Sequence, residues 1–404
     1  MQVVRHLSIP GMGEVYFNKQ PYHLTISENL QQHYSFDPAG RLLTSYLNGV
    51  NYRRGLNNAV LRREQIDTDG KTRRMLSADE IEALIADIRA RVVSITEHVQ
   101  YSELTDLLPW LHAILDWDYP RLCQEHERFR GIYKPISILP PDQYQAVVLQ
   151  AAEGCSWNRC TFCTLYRDRA FRVKSPDDFQ LHIHQVKDFI GEAIGLRKSL
   201  FLGDANALIM PQPRLLELLR ITNEEFPIGI RRAGGSTFQG IYSFLDIFGA
   251  ERKTQHDYQA LQALGVKRIY VGLETGDQEL FTLLNKPGSP QACVEAVHMI
   301  KQAGIAVGII LLAGVGGATL ATQHVAHSIA CVTAMDLAAD DLIYVSLLVL
   351  SGMEAYTQQM HAIGTRALTQ SELSQQVSIL KKGLRAVYVG GPKVSLYHIE
   401  EFIY

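Results

Sequence analysis

The chain has 404 residues, 47% of them hydrophobic and 20% charged, with a formal net charge of −3. This is the balance of an ordinary globular protein able to bury a large core without disulfides, and it gives no global basic field, so composition offers no support for nucleic-acid binding beyond a local basic patch. No apolar run approaches the ~20 residues that span a bilayer, and the opening MQVVRHLSIPGMGEVYF lacks the parts of a signal peptide, so a cytoplasmic protein is expected.

Residues 1–140 read as an α+β accessory or cap domain. The stretch from Ser35 to Glu64 has the look of short strands joined by turns at Pro38–Gly40, Asn48–Gly49 and Asn57–Asn58. Ser77 with Glu80 makes a capping-box pattern ahead of Ile81, Leu84, Ile85 and Ile88, predicting a helix over Ser77–Gln100. A second helical stretch covers Glu103–Phe129, and the Pro-rich segment Lys134–Asp142 reads as a linker.

From about Gln145 the chain alternates strands and helices. Strands are predicted at Ala146–Gln150, Ser199–Leu202, Ile228–Arg232, Arg268–Leu273, Val307–Leu312 and Leu342–Leu350, apolar on both faces as parallel strands under helices must be. Helices are predicted at Pro211–Glu225, His256–Leu264, Pro290–Ala303 and Thr319–Met335. Six strands in this rhythm imply a parallel α/β fold, either an open doubly wound sheet or a barrel.

Six cysteines occur, and three of them, Cys155, Cys160 and Cys163, fall within EGCSWNRCTFCTLYRDR directly after the first of these strands. Three close thiolates in C-x4-C-x2-C spacing suit an iron–sulfur cluster whose fourth iron stays open to a non-protein ligand. The loops at strand carboxyl ends are where such folds bind ligands. The competing reading is structural zinc completed by His182 or His184. Cys123, Cys293 and Cys331 read as core residues, and His324 and His327, spaced i, i+3, as an exposed helix face.

Gly154–Cys163, with Phe162 before the last cysteine, resembles a variant of the radical S-adenosylmethionine (SAM) superfamily motif, carrying one residue more between the first two cysteines than the usual C-x3-C-x2-C. The resemblance runs through residues 145–350. It implies a partial (β/α)6 TIM-like barrel with an N-terminal α+β extension: residues 1–140, a barrel over 141–352, and a C-terminal helical and strand extension over 353–404. It also implies a [4Fe–4S] cluster on Cys155, Cys160 and Cys163, with reductive cleavage of SAM to a 5′-deoxyadenosyl radical that abstracts hydrogen from a substrate.

Cofactor contacts implied by the same resemblance are Phe162, Gly203 and Asp204 after the second strand, Arg232 and Ser236 around Gly234–Gly235, Glu274 closing the fourth strand, and Gly314 after the fifth. The expected partners are a small-molecule substrate and an external one-electron donor such as flavodoxin or ferredoxin, with no membrane and no indication of nucleic acid. An iron–sulfur or zinc redox sensor without SAM catalysis is the alternative.

Overall fold

The computed structural model describes residues 4–67, 70–231, 237–246, 252–399 and 402–404, without the side chains of residues 66, 67, 70 and 71. Eight antiparallel strands come first: β1 Arg5–Ile9, β2 Gly13–Gln20, β3 His23–Glu28, β4 Gln32–Phe36, β5 Leu42–Leu47, β6 Val50–Arg54, β7 Val60–Asp67 and β8 Gly70–Met75. They pair strictly in sequence order as a meander. Alternation sets which face is covered: Val15 and Phe17 of β2, Leu24 and Ile26 of β3 and Tyr34 and Phe36 of β4 are buried, while the residues between them are not. The β5–β6 hairpin turns on Asn48 and Gly49, both at positive φ (51° and 81°), as a two-residue Asn-Gly loop demands. The sheet starts earlier than the sequence suggests, because β1–β3 mix Lys, His and Asn with their apolar positions.

Helix α1, Ala78–Val99, begins with the full capping box of Ser77 and Glu80. Its buried residues Ile85, Ile88, Val92, Ile95 and Val99 recur at three- and four-residue steps and pack on the sheet with α2, Leu108–Leu115. The predicted Glu103–Phe129 helix is interrupted: Asp118 caps a separate α3, Tyr119–Ile132, with its carboxylate accepting from the Arg121 amide.

A seven-stranded parallel sheet follows, built from β9 Val147–Gln150, β12 Leu200–Gly203, β13 Ile241–Leu245, β14 Val266–Glu274, β15 Ala306–Ala313, β16 Leu342–Leu347 and β17 Lys393–Tyr397. Neighbours across this sheet are always successive parallel strands, so the strand order never reverses. That is the winding of a barrel, here open between β9 and β17, and not of a doubly wound sheet. Helices α4 Pro176–Ile190, α5 Gln212–Glu225, α6 Gln255–Ala263, α8 Pro290–Gln302, α9 Gly317–Thr333 and α11 Gln370–Val387 alternate with the strands, while α7 Gln278–Leu283 and α10 Glu354–Ala362 are short additions near the strand ends.

Two strand expectations change. The third strand lies at Ile241–Leu245 and not at Ile228–Arg232, where Ile228 makes only an isolated bridge to Phe238 and Gly229 turns the chain with φ of 74°. The C-terminal extension supplies a seventh strand, β17, paired parallel to β16.

At the amino-terminal ends of the strands, Asp142 accepts hydrogen bonds from the Tyr270 hydroxyl (2.5 Å), the Tyr344 hydroxyl (2.8 Å) and Arg268 Nη1 (3.1 Å). These bonds plug that end of the barrel. The antiparallel sheet is fastened beside it by buried Arg41, which donates to the Phe189 and Ile190 carbonyls at the end of α4 and pairs with Asp37 and Glu125.

Candidate active site

The cysteine loop leaves β9 through a two-stranded ribbon, β10 Ala152–Glu153 and β11 Arg172–Val173, that brings its two ends together. Gly154 starts the loop at φ of 76°, and a Cβ there would lie 3.0 Å from the Ala170 carbonyl oxygen, so the ribbon closes only over glycine. Asn158, inside the longer first cysteine spacing, holds φ of 51°; its amide donates to Cys155 Sγ (3.4 Å) and its side chain to the Tyr166 carbonyl (2.8 Å). The additional residue is thus absorbed in a left-handed turn that asparagine tolerates.

The loop is clamped to the segment after α7. Trp157 Nε1 donates to the Asn285 carbonyl (2.8 Å), Asn285 Nδ2 to the Arg159 carbonyl (2.9 Å), and the Thr161 amide to the Leu284 carbonyl (3.0 Å). Cys155, Cys160 and Cys163, all half-buried free thiols, line one cavity of about 320 Å³ together with Phe162. Burial pushes the Cys160 thiol up to about 12 and raises that of Cys163, so ligation must release protons.

These residues fit an iron–sulfur cluster better than a single ion. Among the described residues no three His, Cys, Asp or Glu side chains converge on one ion site. His182 Nε2 accepts from the Gln150 amide (3.0 Å) and His184 pairs with Glu225 (3.2 Å), so neither completes a zinc set. Three separate thiols and no fourth cysteine at the cavity match three irons of a cluster, with the last left for a small ligand.

Beside the thiols the cavity holds three charged groups: Asp246 just after β13, Glu274 closing β14, and Lys286. Lys286 Nζ stands 3.9 Å from Glu274 Oε1, both side chains being largely shielded from solvent. Burial works against the Lys286 ammonium, yet the Asp246 and Glu274 carboxylates outweigh it and hold the amine above its usual range. Burial raises Glu274 in turn, with Lys286 opposing. Asp246 Oδ1 is buried with no hydrogen-bond partner, an unmet acceptor on the cavity wall. Gly272 makes room here, since a Cβ would press on Glu274 Oε1. The wall from β15 to β17 is mostly apolar, with Ile310, Leu312, Leu347 and Leu348, and it includes Ser346, whose buried hydroxyl also lacks a partner.

Of the cofactor contacts expected from sequence, the structure brings Phe162 and Glu274 to the thiols. Gly203 and Asp204 lie aside: Asp204 Oδ1 accepts from Gln150 Nε2 (3.2 Å), Oδ2 from the Gly154 amide (3.1 Å), and Arg169 Nε stands 3.4 Å away. Its carboxylate fastens the start of the cysteine loop, and burial raises it to about 6. Gly314 is also off the cavity, its amide donating to Gln376 Oε1 (2.8 Å). Arg232 and Ser236 fall outside the described residues.

Of His324 and His327, expected on an exposed face, only His327 is exposed. His324 is fully buried with Nδ1 2.9 Å from Thr275 Oγ1, and His327 Nδ1 meets Asp277 Oδ2 at 2.5 Å. Together with Ser328, whose hydroxyl accepts from the Gly276 amide (3.0 Å), they brace the turn that follows Glu274.

Residues 149–329 match the family described as the Radical SAM superfamily. The matched stretch is a little under half of the chain. Enzymes of this superfamily bind a [4Fe–4S] cluster and SAM. No curated protein matches it. Among solved structures it is similar to HydG, a maturase of the [FeFe]-hydrogenase (14% identity over 76% of this chain and 70% of that one, TM-score 0.40). It is also similar to coproporphyrinogen III oxidase (HemN) from Escherichia coli (12%, 64% and 56%, TM-score 0.42) and to methylornithine synthase (PylB) (16%, 66% and 80%, TM-score 0.37). The chain thus spans little more than half of the E. coli oxidase. These distant likenesses assign no substrate to the radical SAM domain. No helix among the described residues is long and apolar enough to cross a membrane.

Asp246 and Lys286 were missed from sequence. Asp246 carries the signal that revealed Glu274, an acid closing an apolar strand (GIYSFLD), but the third strand was sought too early in the chain.

Proposed function

We propose that Cys155, Cys160 and Cys163 hold a [4Fe–4S] cluster and that the chain cleaves SAM reductively to start hydrogen abstraction from a small-molecule substrate. The observation that carries this is the shared cavity: three thiols of one loop face an acid–base–acid group within a mostly apolar space. When bound, the cluster supplies the electron that splits a carbon–sulfur bond of SAM, giving methionine and a 5′-deoxyadenosyl radical.

The chain's own residues bind and shield. The methionine end of SAM carries an ammonium and a carboxylate, complementary to the Asp246 and Glu274 carboxylates and the Lys286 ammonium. Phe162, Leu312 and Met353 make the neighbouring wall apolar and keep water from the reacting carbon. A one-electron donor such as flavodoxin or ferredoxin belongs to this reading, as does a cytoplasmic setting that keeps the thiols reduced. The test is anaerobic reconstitution with iron and sulfide, followed by electron paramagnetic resonance with and without SAM and by assay of 5′-deoxyadenosine. A SAM-dependent change in the spectrum and 5′-deoxyadenosine formation are expected; a spectrum indifferent to SAM refutes the reading.

A further inference from the structure

The cysteine loop has two sides. Cys155, Cys160, Phe162 and Cys163 line the cavity, whereas Trp157, Arg159 and Arg167 do not. Arg159 and Arg167 are exposed and Trp157 is half-buried, so these three belong to the outer side of the loop that carries the thiols. They stand together. The Arg159 guanidinium lies over the Trp157 ring, 5.6 Å from its centroid, and Arg167 Nη2 donates to the carbonyl of Cys160, the residue after Arg159, at 3.5 Å. The ring is itself fixed by its bond to the Asn285 carbonyl.

Positive charge collects here in a chain whose net charge is −3. From Glu153 to Lys174 the sequence carries five basic and two acidic side chains. Three of the basic groups are spent on carboxylates: Lys174 on Glu153 at 2.7 Å, Arg169 on Asp168 at 3.0 Å, and Arg172 on Asp178 at 3.6 Å. Among the described residues Arg159 and Arg167 meet no carboxylate at ion-pair distance; their guanidinium groups touch only the Trp157 ring and the Cys160 carbonyl.

We propose that the outer side of the cysteine loop is where the electron donor lands, an acidic redox protein whose carboxylates meet Arg159 and Arg167 while its own cofactor comes against Trp157. The inference rests on the reductive cleavage proposed above, which needs one electron delivered to the cluster on the three thiolates. The donor loses that electron and the cluster gains it; no bond is made or broken. Electron tunnelling falls steeply with distance, so the donor has to touch the chain over the thiols. SAM and substrate fill the cavity side, which leaves the outer side. Trp and Arg are residue types that carry protein–protein contacts. Opposed charge gives fast, salt-sensitive encounter across the small interface usual for redox partners. The rest of the chain is net acidic, which opposes a long polyanion such as nucleic acid and favours a partner that covers this patch alone.

The test is isothermal titration calorimetry of the full-length, anaerobically reconstituted chain with an acidic flavodoxin and, in parallel, an acidic ferredoxin, at low salt and then over a salt series. Micromolar binding of at least one of them, weakening with salt, is expected. Arg159→Glu with Arg167→Glu should weaken it about tenfold, Arg159→Gln with Arg167→Gln by less, and Lys382→Glu, exposed on α11, should leave it unchanged. The Asn285 clamp takes the Arg159 carbonyl, which these substitutions keep, and far-UV circular dichroism checks each fold. As a second readout, 5′-deoxyadenosine formation driven by the protein donor should fall in the Glu double variant while that driven by dithionite should not. Absence of binding, arginine variants with unchanged affinity, an equal loss with Lys382→Glu, or equally ready displacement of the donor by an oligothymidylate would each overturn the assignment, the last pointing to nucleic acid. Failure of the cleavage reading looks different: dithionite then yields no 5′-deoxyadenosine even in the parent chain, while the calorimetry still reports on the docking.

Discussion

Replacing Lys286 by Met removes the ammonium that faces the Glu274 and Asp246 carboxylates inside the cavity. At 3.9 Å, and with the effective dielectric of about 20 that suits such sites, the Lys286–Glu274 attraction is about 4 kcal/mol. Breaking a buried pair from one side forfeits this attraction and strands the remaining charge. With a melting entropy of roughly 2.1 cal/mol/K per residue over 404 residues, 4 kcal/mol corresponds to about 5 °C in Tm. Glu274→Gln alone should cost less, since Asp246 still faces the lysine. The Lys286→Met, Glu274→Gln double variant should melt at a higher temperature than the sum of the two single losses requires. Differential scanning calorimetry of the anaerobic, reconstituted protein measures all four corners of the cycle. Additive losses would refute the pairing on which the site's electrostatics rest.

Alanine at any one of Cys155, Cys160 and Cys163 should abolish iron retention and 5′-deoxyadenosine formation, whereas Cys123→Ala, at an exposed position, should retain both; iron and sulfide analysis decides. Gly276→Ala should lower stability by roughly 2 kcal/mol or more, because its Cβ would collide with the His327 carbonyl and lie 2.7 Å from Cys331 Cβ; an unchanged melting temperature contradicts that packing. Burial lowers His182 and His324 to about 4 from 6.5. Each imidazole is therefore kept neutral in the folded chain while the unfolded chain takes up the proton. Their stabilising effect is complete above pH 6.5 and is lost as pH falls toward 4, by about 3 kcal/mol for each group. Urea denaturation between these pH values should show the decline, and His324→Gln should flatten it; a variant with the parent's slope excludes the histidine as a cause.

Most of the barrel was legible because its strands are buried on both faces and so stand out as apolar runs between amphipathic helices. The third strand was misplaced because Ile228 and Ile230 supply the same apolar signal as Ile241–Leu245, and only Gly229 with its positive φ marks the difference. The seventh strand, KVSLY, is five residues long with Lys393 and Ser395 at alternate positions, so it lacks the two-faced apolar run that marks the other barrel strands and joins the sheet only through its pairing with β16. At the site, the thiols declared themselves by spacing and Glu274 by closing an apolar strand. Lys286 did not, since it stands in a turn between short helices and acquires meaning only by folding back onto Glu274. Asp204, expected at a cofactor contact from its position after the second strand, spends its oxygens on Gln150, Gly154 and Arg169.

The knot of Asp142 with Tyr270, Tyr344 and Arg268 leaves the barrel a vessel with its base stoppered. The cavity lies toward the other end, beside the cysteine loop and the segment after β16. In the proposed reading, a substrate seated deeper in the cavity than SAM would have to arrive before it and depart after its fragments, which predicts ordered kinetics with the deeper guest first in and last out.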